Sequence, residues 1–177
     1  MLKSVRTDGR PSDIKEIRKI YDSSFPYAER VPFERLIRSI KEDRIMYAYY
    51  DDGKLIGISY LFLLDDIAYI GYFCVREDLR NKGYGTQILE MIKEDFSGYR
   101  IAIDIEEVKE NSDNYEERKR RKDFYLHKGF REAGIFYNFY DVDYEILVYG
   151  GAVDRQQWHD VIRRHWGKNS KLAKYRQ

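Results

Sequence analysis

Apolar residues fall into two periodicities along this chain. Ile14, Ile17, Ile20 and Tyr21 recur at helical spacing after Pro11 and Ser12, which predicts a first helix. Pro26 interrupts the pattern. Pro32 suits a first helical turn, and Leu36, Ile37 and Ile40 follow on one face. The period then shortens. Residues 45–50 are strand formers, Asp51-Asp52-Gly53 is a hairpin turn signal, and strands are predicted at about 55–64 and 67–75. Many positions in these strands are apolar on both faces, so both faces are expected to be covered. A glycine-bearing loop leads into a helix from Gly85 to about Phe96, with Ile88, Leu89 and Ile92 on its buried side. Residues 100–106 alternate, with Ile101, Ile103 and Ile105 opposite Ala102, Asp104 and Glu106. A helix from about Glu116 to Lys128 ends at Gly129, a plausible stop. Strands at 130–141 and 144–149 follow. Asp154 and Gln157 form a capping box that opens a last helix to about His165. The polar tail after Gly167 is expected to fray. The order αα, βββ, α, β, α, ββ, α predicts one α/β domain with helices covering a mixed, mostly antiparallel sheet.

A chain of 177 residues can bury a core without disulfides or metal. Its one cysteine, Cys74, cannot form an internal bridge, which fits a reducing compartment and a cytoplasmic location. No apolar run approaches a membrane span, and no metal-ligand spacing occurs. The formal net charge of +1 hides an asymmetry. Residues 1–149 carry 25 basic and 29 acidic side chains, whereas residues 150–177 carry seven and two. Near-neutrality argues against a dedicated nucleic-acid binder. Trp158, Val161, Ile162 and His165 recur at helical spacing, so the basic C-terminal helix is expected to pack on the body or on a second copy in a homodimer.

Chemistry concentrates at residues 69–86. An apolar strand feeds Arg80-Asn81-Lys82-Gly83-Tyr84-Gly85-Thr86 and then a helix. Two glycines permit a tight turn and close backbone approach, and the first helical N–H groups have no partner within the helix. Together with the helix dipole they make a site suited to a pyrophosphate. The P-loop string is absent, and the dinucleotide fingerprint lacks its third glycine, replaced by Ile88. Taken alone, the two-glycine loop also fits a plain tight turn.

With these residues in view, the sequence resembles the GNAT superfamily of acyl-CoA-dependent N-acyltransferases. The family's Arg/Gln-x-x-Gly-x-Gly/Ala loop is matched by Arg80, Gly83 and Gly85. Its Tyr-x-x-x-Gly-Phe helix end is matched by Tyr125, Gly129 and Phe130. The likeness covers about residues 2–150, leaving 151–177 as a basic extension. Many members begin the second helix Asn-x-x-Ala, where this chain has Arg118 and Arg121. Two readings stand for this pair: contacts to the phosphates of the cofactor, or a solvated basic face.

The resemblance implies a GNAT-like sheet with a splayed cofactor cleft, acetyl-CoA as co-substrate, and direct attack of a primary amine in a ternary complex. Backbone groups at Phe73, Cys74 and Val75 would pair with pantetheine amides, and those of Arg80–Thr86 would hold the pyrophosphate. Tyr125 would be the general acid. Glu106 is the candidate base, with Tyr72 or a water chain as rivals. Cys74 reads as core packing by side chain, and His127 as facing away from Tyr125. Phe25, Glu29, Arg30 and Tyr72 would shape the acceptor pocket, with Phe25, Tyr27 and Phe33 equally suited to the core. The first expectation for the acceptor is a small-molecule amine, and the second a protein amine. A non-catalytic acyl-CoA sensor is the competing function.

Overall fold

The computed structural model describes residues 1–7, 14–25 and 30–176. The predicted helix opening at Pro11 and Ser12, and Pro26, Tyr27 and Glu29, lie outside the described residues. The chain divides into two compact units, Met1–Leu63 with Ile70–Ser97, and Leu64–Tyr69 with Gly98–Gln177.

The first unit holds β1 (Lys3–Thr7), α1 (Ile14–Ser24), α2 (Phe33–Arg38), β2 (Arg44–Asp51), most of β3 (Lys54–Leu64), the later part of β4 (Ile67–Val75), and α3 (Tyr84–Asp95). The strands lie in that order, with β1–β2 and β2–β3 antiparallel. The β2–β3 hairpin turns at Asp52 and Gly53, both at positive φ, as the sequence predicts. A bulge beside Tyr50 shifts the register, so Leu55 joins Ile58 and Tyr60 in one core cluster. That cluster packs Met46, Ala48, Tyr72 and Cys74 against Ile17, Ile20 and Tyr21 of α1 and Phe33 and Leu36 of α2. On the other face of β2, Tyr47 meets the ring of Phe96 just after α3, at 6.4 Å. Helices therefore cover both faces, which is why β3 is buried over eight successive residues.

The second unit begins with the first three residues of β4, which pair in parallel with β5 (Arg100–Glu106) as far as Tyr69 and Ala102. It continues through α4 (Tyr115–His127), β6 (Arg131–Phe139), β7 (Val142–Tyr149), α5 (Arg155–Trp166), a 3-10 turn (Gly167–Leu172) and β8 (Lys174–Tyr175). β7 lies between β5 and β6, antiparallel to both, and β8 adds to the far edge of β6. The full strand order is β1-β2-β3-β4-β5-β7-β6-β8, a mixed, mostly antiparallel sheet. The predicted capping box forms: the Asp154 carboxylate accepts from the N–H of Gln157, and the Gln157 side chain accepts from the N–H of Asp154. Gly129 ends α4 at φ +84°.

Two strands were not foreseen. β1 is a polar edge strand whose Val5 is exposed, so it carries no apolar alternation to read. β8 is only two residues long. It corrects the expectation of a fraying tail, because the C-terminal segment docks. The Arg176 N–H donates to the Phe136 carbonyl, Arg155 donates to the Arg176 carbonyl, and the Arg176 guanidinium pairs with Glu107.

Helix α4 is also unusual in having polar residues on all sides. Tyr125 is its one buried residue. Ion pairs to the sheet take the place of an apolar stripe. Lys122 reaches Glu145 of β7, which is 2% exposed, at 2.7 Å and also pairs with Glu132 of β6.

Gly57 of β3 sits where any side chain would collide with β4. A Cβ there would lie 2.4 Å from the Cys74 carbonyl oxygen and 3.2 Å from the Val75 Cα. Both obstacles are backbone, so Gly57→Ala must push the strands apart. A loss of about 2–3 kcal/mol follows for such overpacking, read as a fall in melting midpoint of roughly 6 °C. An unchanged midpoint would contradict the close approach.

Candidate functional site

In the first unit, β4 runs into a 3-10 turn (Glu77–Leu79) whose Leu79 is buried and anchors the loop. Arg80 is extended, with its Nε 3.4 Å from the Val75 carbonyl. Asn81 and Gly83 both take left-handed conformations, at φ +61° and +84°. Gly83 is the residue before α3, and the first helical bond runs from the Gln87 N–H to the Gly83 carbonyl. The N–H groups of Tyr84, Gly85 and Thr86 precede that bond and have no acceptor within the helix. No side chain caps this end and no acidic residue stands in the first turn, whereas α1, α2 and α4 all carry a Glu there. The Tyr84 hydroxyl donates to Asp51 at 2.9 Å. An N-terminus with no capping side chain and no acid in its first turn suits an anion.

Cys74 is buried in the core cluster, and burial pushes its thiol up to about 12. At neutral pH it stays protonated and is a poor nucleophile. Phe73 and Val75, on either side, are half-buried.

The structure brings Phe25 and Tyr72 together. Their rings meet edge-on at 5.0 Å, and Tyr21 packs on both, at 5.6 and 5.0 Å. Tyr72 and Tyr21 also fix the residue after Arg30. The Val31 N–H donates to the Tyr72 hydroxyl at 3.0 Å, and the Tyr21 hydroxyl donates to the Val31 carbonyl at 2.8 Å. Arg30 is turned onto Asp22, pairing with its carboxylate and donating to its carbonyl at 3.2 Å. Glu29 lies outside the described residues. Phe33 belongs to the core cluster and Phe25 packs against it.

In the second unit, Tyr125 lies in the last turn of α4 with 4% of its surface exposed. Its ring packs on Phe124 at 5.1 Å and Phe130 at 5.3 Å. Its carbonyl accepts from the N–H groups of Lys128 and Phe130, which closes the turn around Gly129. His127 bonds through Nδ1 to the Asp123 carbonyl at 2.7 Å.

Glu106 ends β5 with its side chain 11% exposed. One of its oxygens is 2.7 Å from Arg118, and the other is 3.3 Å from Arg121. Arg118 also bonds the Asn114 side chain at 2.7 Å and the Glu107 carbonyl at 3.0 Å. The two arginines at the altered helix start therefore turn inward onto Glu106, which corrects the reading that aims them at cofactor phosphates. A nearly buried carboxylate at the end of β5 draws both guanidinium groups.

Asp104, two residues earlier and on the same face of β5, has a different environment. Its carboxylate accepts from the Tyr69 hydroxyl at 2.9 Å and from the Tyr137 hydroxyl at 2.5 Å. Burial raises the pKa of Asp104 and, more strongly, that of Tyr137. Sequence reasoning noted Asp104 only as a neighbour of Glu106. The signal available was an acid inside β5, between Ile103 and Ile105, where the other interior positions of the strand are apolar.

A family model described as "Acetyltransferase (GNAT) domain" matches residues 42–132, about half of the chain. None of the curated proteins matches the chain in sequence. Among solved structures, a GNAT-family protein from Bacteroides thetaiotaomicron is 24% identical, with a TM-score of 0.74 over 93% of this chain and 94% of its own. The ribosomal-protein-S18-alanine N-acetyltransferase of Escherichia coli is 16% identical, with a TM-score of 0.65 over 87% and 96%. An aminoglycoside 6'-N-acetyltransferase complexed with coenzyme A is 14% identical, with a TM-score of 0.68 over 84% and 96%. These likenesses show a shared fold. With its glycine loop at the start of α3, its Tyr-x-x-x-Gly-Phe turn and the family match, the chain belongs to the GNAT acetyltransferase family.

The double pairing of Glu106 is a structural clamp on α4. Glu106→Gln leaves two guanidinium groups side by side without their shared charge. The expected cost is roughly 3 kcal/mol, the lower end for breaking a buried pair because Arg121 stays partly solvated. Urea denaturation checks this, and an unchanged midpoint would show that the clamp contributes nothing.

Proposed function

We propose that this protein is an N-acetyltransferase that moves an acetyl group from acetyl-CoA to the primary amine of a small molecule. The observation that carries the reading is the loop before α3. Asn81 and Gly83 hold left-handed conformations, and the helix end behind them has no capping side chain and no acid. Backbone N–H groups from Lys82 to Thr86, with the charge of Arg80 and Lys82, would hold a pyrophosphate. Main-chain groups at Phe73 and Val75 would take the pantetheine arm in the manner of an added strand, with Cys74 between them turned to β3. Residues 1–150 carry this chemistry, and residues 151–177 extend the family's domain.

In this reading the acceptor, an ammonium ion at neutral pH, first gives one proton to water, and the neutral amine then attacks the thioester carbonyl. The new C–N bond forms, the C–S bond breaks, and the nitrogen releases one proton while the departing thiolate takes one. The Tyr125 phenol supplies the proton to sulfur and is restored by the proton that leaves nitrogen. Holding both reactants in one complex supplies several kcal/mol of the barrier by positioning alone. Glu106, the base expected from the sequence, has both oxygens on guanidinium groups. We assign it to holding α4, and with α4 Tyr125, rather than to proton transfer. Phe25, Glu29, Arg30 and Tyr72 are proposed to shape the acceptor side.

Release of free thiol from acetyl-CoA across an amine panel tests the activity. Acetyl-CoA binding with no turnover on any small amine would favour a sensor or a protein amine, and absence of binding would remove the cofactor reading. Tyr125→Phe should lower kcat by roughly 10²-fold or more and leave the Kd for acetyl-CoA unchanged. Unaltered turnover in that variant would take Tyr125 out of the mechanism.

A further inference from the structure

Asp104 poses an electrostatic problem that Glu106 does not. Among the described residues no Lys, Arg or His lies within ion-pair distance of its carboxylate, although the same face of β5 gives Glu106 two arginines. A carboxylate set among rings without a counter-charge is costly. The elements around its two tyrosine partners contribute aromatic rings, and α5 adds His165, whose ring meets Tyr69 edge-on at 5.5 Å. β4 gives Tyr69, β6 gives Tyr137, β7 gives Tyr144, α5 gives Trp158, and β8 gives Tyr175. Tyr69 and Trp158 meet edge-on at 5.1 Å, Tyr137 lies 6.2 Å from Trp158, and Tyr137 is stacked between Tyr144 at 5.5 Å and Tyr175 at 5.6 Å.

Two polar atoms in the same cluster add a second, independent observation. The Trp158 indole N–H and the Tyr175 hydroxyl are buried and have no hydrogen-bond partner among the described residues. Trp158 itself is fully buried. Buried polar groups are ordinarily satisfied, so unpartnered ones beside an unpaired carboxylate mark a place completed by something else.

We propose that Asp104 and the rings of Tyr69, Tyr137, Trp158 and Tyr175 form the subsite for the ammonium group of the acceptor, a small organic amine with an apolar body. This rests on the reading of the protein as an amine acetyltransferase. The carboxylate oxygens have lone pairs beyond those used by the two tyrosines, and an ammonium donates to them. The Tyr175 oxygen is a further acceptor, and ring faces attract a cation placed over them.

The proposal gives the C-terminal extension a task. Trp158 and Tyr175 both come from it. Its basic residues pin it in place: Arg155 lies over the Tyr175 ring at 5.4 Å, and Arg176 packs on Phe136 at 5.3 Å while pairing with Glu107. The positive charge of the tail thus closes the wall of a cation site without entering it.

The test uses the two tryptophans as reporters. In an ¹⁵N–¹H spectrum each indole N–H gives one peak, and Trp166→Phe assigns them. The full-length protein is titrated with butylamine, phenethylamine and tyramine, and with the matching alcohols in which a hydroxyl replaces the amine. At least one amine should move the Trp158 peak saturably, at a concentration at least tenfold below its alcohol. Asp104→Asn should erase that tenfold preference. Equal potency of amines and alcohols, or no movement of the Trp158 peak with any of them, overturns the proposal. The wild-type comparison decides the matter even if Asp104→Asn fails to fold. Acetyl-CoA binding, measured on the same samples, separates the two readings. Loss of that binding would sink the proposed function alone. Acetylation of an amine with the same KM in wild type and Asp104→Asn would sink the subsite alone.

Discussion

Two carboxylates on the sheet, Glu106 and Glu145, must each be answered by a positive charge, and α4 exists in its present form to answer them. The helix has too little apolar surface to pack by hydrophobic burial. Arg118, Arg121 and Lys122, on two successive turns, reach back to β5 and β7 instead. Such pairs contribute modestly to net stability but are expensive to break singly. They therefore act as a register device, since the helix cannot slide or rotate without stranding a buried carboxylate. Tyr125, in the last turn of this helix, takes its position from them.

That arrangement shows where a motif argument reaches its limit. Arginines near an expected phosphate site read naturally as phosphate ligands. Their partner, Glu106, is visible in the sequence, where its place at the end of β5 suggests a chemical role of its own. Nothing in the spacing of residues 106, 118 and 121 says that they neutralise each other, because the loop at 107–114 decides where α4 lands. The residue types were legible, and the pairing was a tertiary fact.

The elements that a sequence reveals best are those with a strong period or an explicit stop signal. β4 falls where its apolar run places it and β5 where alternation does, and α3, α5 and the β2–β3 hairpin lie within a residue or so of where caps and turns put them. β1 and β8 escaped because each is a short edge strand held by main-chain pairing, with hardly any apolar pattern. Their loss from the prediction mattered unequally. β1 covers an edge, whereas β8 brings Tyr175 onto Tyr137 and turns a tail that composition marks as loose into part of an aromatic wall. In the glycine loop, sequence foresaw Gly83 but not the left-handed Asn81, since asparagine adopts that conformation without requiring it.

The contact between Gly57 and Cys74 sets the polarity of β4. Main-chain groups along a strand alternate between its two edges. With the Cys74 carbonyl committed to the β3 edge, the odd-numbered neighbours Phe73 and Val75 must present theirs on the opposite edge. A single hydrogen atom in place of a side chain on β3 thus decides the parity of β4, and with it which peptide groups the strand can offer to anything lying along its far side.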